Sequence, residues 1–126
     1  MGKEFDIINM IKENFNKDIE LDSKLSKDFD NFNKTICFEL TDVQKIYHFK
    51  ITNKKASEVK EGKPPTYDIY LKSTFENFIA ILTGKLNPAV AVLSKQIIIR
   101  GDIRDISKLQ KIISKHTDDV NKFLKI

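Results

Sequence analysis

The stretch 74–101, TFENFIAILTGKLNPAVAVLSKQIIIRG, constrains the fold more than any other part of the chain. Phe75, Phe78, Ile79, Leu82 and Leu86 recur at spacings of three and four, which places them along one face of a helix. Ser73 and Glu76 stand where a capping box would open that helix, and Gly84 where a left-handed residue would close it. Asn87-Pro88 is a second start signal, a capping side chain followed by proline at the first helical position. It opens a short apolar turn, Ala89 to Leu93. Ile97-Ile98-Ile99 is a β-branched run closed by Arg100-Gly101-Asp102, a strand and then a turn. The segment 89–93 is apolar nearly all round, and the isoleucine run is apolar on both phases. Such elements must be covered on every side or must line something.

The rest of the chain supplies the cover. Phe5, Ile8, Ile11 and Phe15 form one stripe of an amphipathic helix over 4–15, with Ile7 beside it. Residues 16–33 are polar and read as a surface crossing pinned by Ile19, Leu21 and Leu25. From Thr35 the period becomes two: Ile36, Phe38 and Leu40 alternate with Cys37, Glu39 and Thr41. Asp42-Val43-Gln44 is a turn, and Tyr47, Phe49 and Ile51 make a second strand. Asn53-Lys54 is the next tight turn. Ala56 to Val59 is a weak third strand, broken by Gly62-Lys63-Pro64-Pro65, and Tyr67, Ile69 and Leu71 make a fourth. Short strands and tight turns predict an antiparallel meander. The fifth strand is 96–100. One last helix is expected from Ile103 or Ile106 to Leu124, capped by Asp102 or Asp105. Its inner face carries Leu109, Ile112, Ile113, His116, Val120 and Phe123 or Leu124. The expected fold class is α+β: a five-stranded, mainly antiparallel sheet with helices packed on one side, in a single domain over 1–126.

Catalytic chemistry finds little support in the residues. Cys37 stands mid-strand, far in sequence from His48 and His116, and these three do not have metal-ligand spacing. Gly84-Lys85 lacks the flanking residues of a nucleotide phosphate loop. The phenylalanines lie at core phases rather than on a stacking surface, and the lysines are interleaved with acids, so nucleic acid is not an expected partner. The 22 Lys and Arg against 18 Asp and Glu leave a net charge of +4, an excess that favours transient contact with an anionic membrane surface or head group. No cofactor motif is present. A single cysteine excludes an internal disulfide, no apolar run approaches the roughly 18 residues of a membrane span, and the first residues carry acids throughout. The chain reads as cytoplasmic.

Leu82-Thr83-Gly84-Lys85-Leu86-Asn87-Pro88, followed by Ile99-Arg100-Gly101-Asp102, resembles the sterol carrier protein type 2 lipid-binding domain family. The likeness extends from Phe32 to Ile113 and takes in Phe38-Glu39-Leu40-Thr41-Asp42, Tyr67-Asp68-Ile69-Tyr70-Leu71 and Lys108-Leu109. The resemblance implies a non-catalytic lipid carrier with a hydrophobic tunnel between sheet and helices. It would hold a fatty acid, fatty acyl-CoA or other apolar lipid. Carried over by position, the tunnel-lining candidates are Phe75, Phe78, Ile79, Leu82, Leu86, Val90, Leu93, Ile97, Ile99, Leu109 and Ile113. Lys85, Lys95, Arg100 and Arg104 stand near the ends of these elements, in reach of a carboxylate or phosphate head group. Burying a chain of about 16 carbons is worth on the order of 10 kcal/mol gross, and ordering costs reduce that to a micromolar-range affinity. Three departures stand out. Lys95 occupies the place of the family's usual glycine before the last strand, Ile98 that of an outward lysine, and Asn53-Lys54 that of an Asn-Gly turn. The alternative reading is a protein-interaction module, a homodimer or accessory subunit, whose interior is filled by side chains.

Overall fold

The computed structural model describes residues 2–125; Met1 and Ile126, the ends of the expected 1–126 range, lie outside the described residues. In chain order the elements are α1 (Lys3–Leu21), α2 (Ser23–Lys27), β1 (Lys34–Leu40), β2 (Lys45–Thr52), β3 (Lys55–Ala56), β4 (Lys60–Glu61) and β5 (Ile69–Ser73), followed by α3 (Phe75–Leu82), α4 (Pro88–Leu93), β6 (Ile97–Arg100), α5 (Ile103–Ser114) and α6 (Thr117–Leu124). The fold is α+β, with helices against one face of a mostly antiparallel sheet.

The sheet runs β3-β2-β1-β5-β6, with β4 also on β2. β1 and β2 form the expected antiparallel hairpin, with Phe38 opposite Tyr47. The expected meander is wrong at its centre. β5 pairs with β1, not with the third strand, and the two run parallel, Ile36 beside Ile69 and Leu40 beside Ser73. Strand periodicity and turn chemistry mark strands without naming their neighbours. After β4 the chain leaves through Gly62, crosses the outer face past buried Pro64, and enters on the far side of β1. Two strand spacings are about 10 Å, which the residues between β4 and β5 span easily. The weak third strand expected over 56–59 is reduced to Lys55–Ala56, and a second short strand, Lys60–Glu61, lies just beyond it. Ser57 interrupts the expected run by accepting from the Lys50 N–H at 3.0 Å. Asn16 of α1 closes the edge of β3, accepting from the Ala56 N–H at 2.7 Å and donating to its carbonyl at 3.1 Å.

The helices differ from expectation at their ends. α1 runs to Leu21 rather than stopping at 15, because Ile19 continues the stripe of Ile8, Ile11 and Phe15. Asp22 then caps α2 through the N–H groups of Lys24 and Leu25. The segment expected as polar crossing adds Phe29 and Phe32 to the core, where Phe29 meets Phe15 edge to face at 4.9 Å between centroids. Thr74, not Ser73, caps α3, accepting from the Asn77 N–H at 3.0 Å; Ser73 is still in β5. Gly84 ends the segment at φ +80°, and Asn87 caps α4 as expected. Asp102 caps α5 by accepting from the Arg104 N–H at 2.8 Å, whereas Asp105 pairs with Lys34. The single last helix is instead two, broken at Lys115 and His116. Asp118 and Asp119 supply the acidic first turn that favours a fresh helix start.

Candidate functional site

α5 presents Ile106, Leu109 and Ile113 to the sheet at spacings of three and four, with Gln110 beside them. Opposite them, alternate residues of three adjacent strands point to the same face: Ile36 and Phe38 of β1, Ile69 and Leu71 of β5, Ile97 and Ile99 of β6. Phe78, Ile81 and Leu82 of α3 close one side, and Pro88, the first residue of α4, one corner. These side chains leave an apolar cavity of about 100 Å³ whose one polar lining residue is Gln110. A smaller void of about 30 Å³ continues past Leu109 and Ile113 toward Phe15 and Phe49. Pro88, Ile99 and Ile106 are half-buried and Gln110 is exposed, so the cavity reaches solvent between α4 and α5.

Among the tunnel candidates, Phe78, Leu82, Ile97, Ile99, Leu109 and Ile113 converge on this cavity. Phe75 and Ile79 pack on the core beside it, and half-buried Leu86 lies apart from the lining. Val90 and Leu93 are 54% and 85% exposed, because beyond Pro88 α4 buries only Ala91. The strand walls are the main omission from the candidates. The alternation of Ile36 with Phe38 and of Ile69 with Leu71 marked them as one-faced, but the face they share with β6 depends on the parallel pairing. Lys85, Lys95, Arg100 and Arg104 are all exposed, and none lines the cavity. Arg104 instead pairs with Asp102 at 3.4 Å, and its hydrogen bond holds that carboxyl below the usual range.

The polar groups elsewhere carry structure. His116 sits at the α5–α6 break, its Nε2 2.7 Å from Asp18 of α1 and its Nδ1 2.8 Å from Asp119. Burial alone would lower its pKa; the bonds to Asp119 and Asp18 outweigh that and raise it above the ordinary value. Cys37 is wholly buried under the crossing loop, and burial, then Glu39, push its thiol up, away from a reactive thiolate. Burial and a 2.6 Å hydrogen bond to Glu39 likewise raise the Tyr70 phenol. No cluster of metal-ligating side chains occurs among the described residues.

The profile of the SCP-2 sterol transfer family matches residues 15–114, most of the chain and every wall of the cavity. The chain belongs to the SCP-2 family. The SCP-2 domain is in general a lipid-binding or lipid-transfer unit, and membership supports such a role here. Solved SCP-2 structures share the fold at low identity. The sterol carrier protein domain 2 of Helicoverpa armigera is 16% identical, with TM-score 0.61, over 89% of this chain and 88% of that one. Palmitated SCP2L2 from Aedes aegypti is 20% identical, with TM-score 0.56, over 90% and 95%. The SCP-2 fold also occurs inside larger proteins. The sec-alkylsulfatase Pisa1 of a Pseudomonas matches 69% of this chain, at 18% identity and TM-score 0.55, but the chain spans only 13% of its length. No curated protein matches the sequence. No described helix is long and apolar enough to cross a membrane.

Proposed function

We propose that this SCP-2 domain holds a fatty acid, fatty acyl-CoA or other apolar lipid non-covalently, between the sheet and α5, and carries it in the cytoplasm. The observation that carries this reading is the cavity, with its single polar lining residue at an edge open to solvent. An acyl chain placed there exchanges water for isoleucine, leucine and phenylalanine side chains, at about 0.8 kcal/mol per methylene. The palmitated state of the Aedes aegypti relative adds support for an acyl ligand in this fold. At about 100 Å³ the resting cavity is smaller than the roughly 300–1,000 Å³ of a drug-sized ligand site. Loading therefore requires the helices that wall it to move outward from the sheet, and side chains rather than backbone bonds hold them there.

Native mass spectrometry of the purified protein, followed by organic extraction, tests this directly. One fatty acid or phospholipid per chain, or uptake of added palmitate, is the expected result. Ile106→Trp fills the cavity from a half-buried position and is expected to weaken palmitate binding at least tenfold with the fold intact. Leu82→Arg is a poorer probe, because Leu82 is 2% exposed and a buried unpaired charge unfolds the site instead. A bare mass with no uptake of palmitate or palmitoyl-CoA moves the assignment to an interaction module with a filled core.

A further inference from the structure

Most of the large apolar residues that the fold leaves exposed fall in one short stretch. Val90, Val92 and Leu93 of α4 are 54%, 44% and 85% exposed, and Ile98 and Ile103 follow on β6 and α5 at 39% and 78%. Asn87 and Pro88 start α4 firmly, and only Ala91 is buried. The helix therefore holds a valine-leucine tip out in solvent, uncovered by the described residues. Scattered exposed apolar residues are ordinary, but a clustered set marks a contact surface.

The charges around the tip are one-sided. Between Glu76 and Asp102 the chain carries no acid, the longest acid-free run in the sequence. The same stretch carries Lys85, Lys95 and Arg100, all exposed, and none is in an ion pair among the described residues. Lys85 precedes α4 and Lys95 follows it, so the apolar tip has a cation at each end. A two-fold contact that buried the tip would bring the cations of one copy toward those of the other, with no acid nearby in the sequence to pair them. A bilayer with anionic lipids answers both features, with acyl chains for the tip and phosphates for the lysines.

We propose that α4 is a lipid-surface docking element that sets the open edge of the cavity against an anionic membrane. Pro88, at the root of α4, and Ile97 and Ile99, on the strand that follows, are themselves cavity walls. A lipid leaving the bilayer beside the tip meets the cavity without crossing open water. The proposal deepens the lipid-carrier reading and rests on it for its purpose, while the contact itself is measured with no cavity ligand.

The test is co-sedimentation with vesicles of phosphatidylcholine alone, or with about 30% phosphatidylglycerol, at low and high salt. The wild type is expected to partition onto the anionic vesicles at low salt and to leave them as salt rises. Lys85→Gln with Lys95→Gln is expected to lower partition roughly 25-fold, at about fivefold per cation. Val92→Asp with Leu93→Asp is expected to lower it at least tenfold. Both residues are exposed, so the far-ultraviolet circular dichroism and Tm should be unchanged. Equal partition of wild type and both variants overturns the proposal, as does no binding to anionic vesicles at low salt. A dimer that the Val92→Asp/Leu93→Asp variant makes monomeric, with no vesicle binding, also overturns it and assigns the tip to a second copy. Palmitate uptake from solution, measured without vesicles, reads the cavity separately. Uptake with no vesicle binding leaves the carrier reading standing and removes only the docking element.

Discussion

Gly101 joins β6 to α5 at φ +137°, and a methyl group there would lie 2.8 Å from the Asp68 carbonyl oxygen and 3.2 Å from the Ile69 side chain. Both the backbone conformation and the space demand glycine, and Ile69 is a wall of the cavity. Gly101→Ala is therefore expected to destabilise the fold by about 2–4 kcal/mol, read as a lower urea midpoint at unchanged slope. Residues of this kind divide by how much chemistry they declare. Asn87-Pro88 and Gly84 announced a cap and a stop, and both stand where their chemistry puts them. Lys95 and Lys54 sit at φ +63°, in a region that glycine normally fills, and lysine declares nothing of the sort. The left-handed turn before β6 is retained without its glycine. That turn was legible only as a place where the resembling family has glycine and this chain does not.

At the scale of elements, the junction of α5 with α6 depends on a single side chain. His116 ties the break to α1 through Asp18 and to the first turn of α6 through Asp119. Lys17 and Lys122 also act on Asp119, and Lys115 lies 3.9 Å from Asp22. Because the folded-state pKa of His116 is raised, its contribution to stability is fully present below the unfolded value of about 6.5. It is lost as pH rises through the folded value. The same bond, first among its causes, holds the Asp119 carboxyl below its ordinary range, so a loss at the acid end sets in only below about pH 4. Urea midpoints of the wild type should fall from pH 6 to pH 8.5, and those of His116→Gln should stay nearly level across that range. Parallel curves for the two proteins would remove the role given to this histidine. The helix break was half visible beforehand. Asp118-Asp119 is a start signal, but the apolar stripe from Leu109 to Val120 runs through it without losing period. The parallel pairing of β1 with β5 was not visible at all, since alternation fixes a strand's faces and not its neighbour.

At the scale of the molecule, the cavity is the place where sheet and helices fail to fill the space between them. Its apolar walls were legible where one helix or strand carried the pattern, as in α3, β6 and α5. They were illegible in β1 and β5, whose shared wall exists only because the parallel pairing brings them side by side. A ligand that binds only the folded state raises stability by RT ln(1 + [L]/Kd), about 2.7 kcal/mol at a hundredfold excess over Kd. For a chain of this size that corresponds to a rise in Tm of roughly 10 °C. Thermal melts with palmitate should show this rise in the wild type and little of it in Ile106→Trp. A flat response in the wild type would argue for an interior already complete without a ligand.

The order of the strands also governs when the molecule acquires its interior. β1, near the start of the chain, is the centre of the sheet, yet one of its two neighbours is β5, made only after the hairpin and the crossing loop. The wall facing β1 comes later still, with Leu109 and Ile113. During synthesis the hairpin can pair as it emerges, but no pocket exists until Leu109 and Ile113 have also left the ribosome. A nascent or truncated chain exposes the apolar face of β1 and has nothing with which to enclose a lipid. The proposed capture therefore needs residues through Ile113, and the interval before they emerge is when the bare face of β1 most needs protection from neighbouring chains.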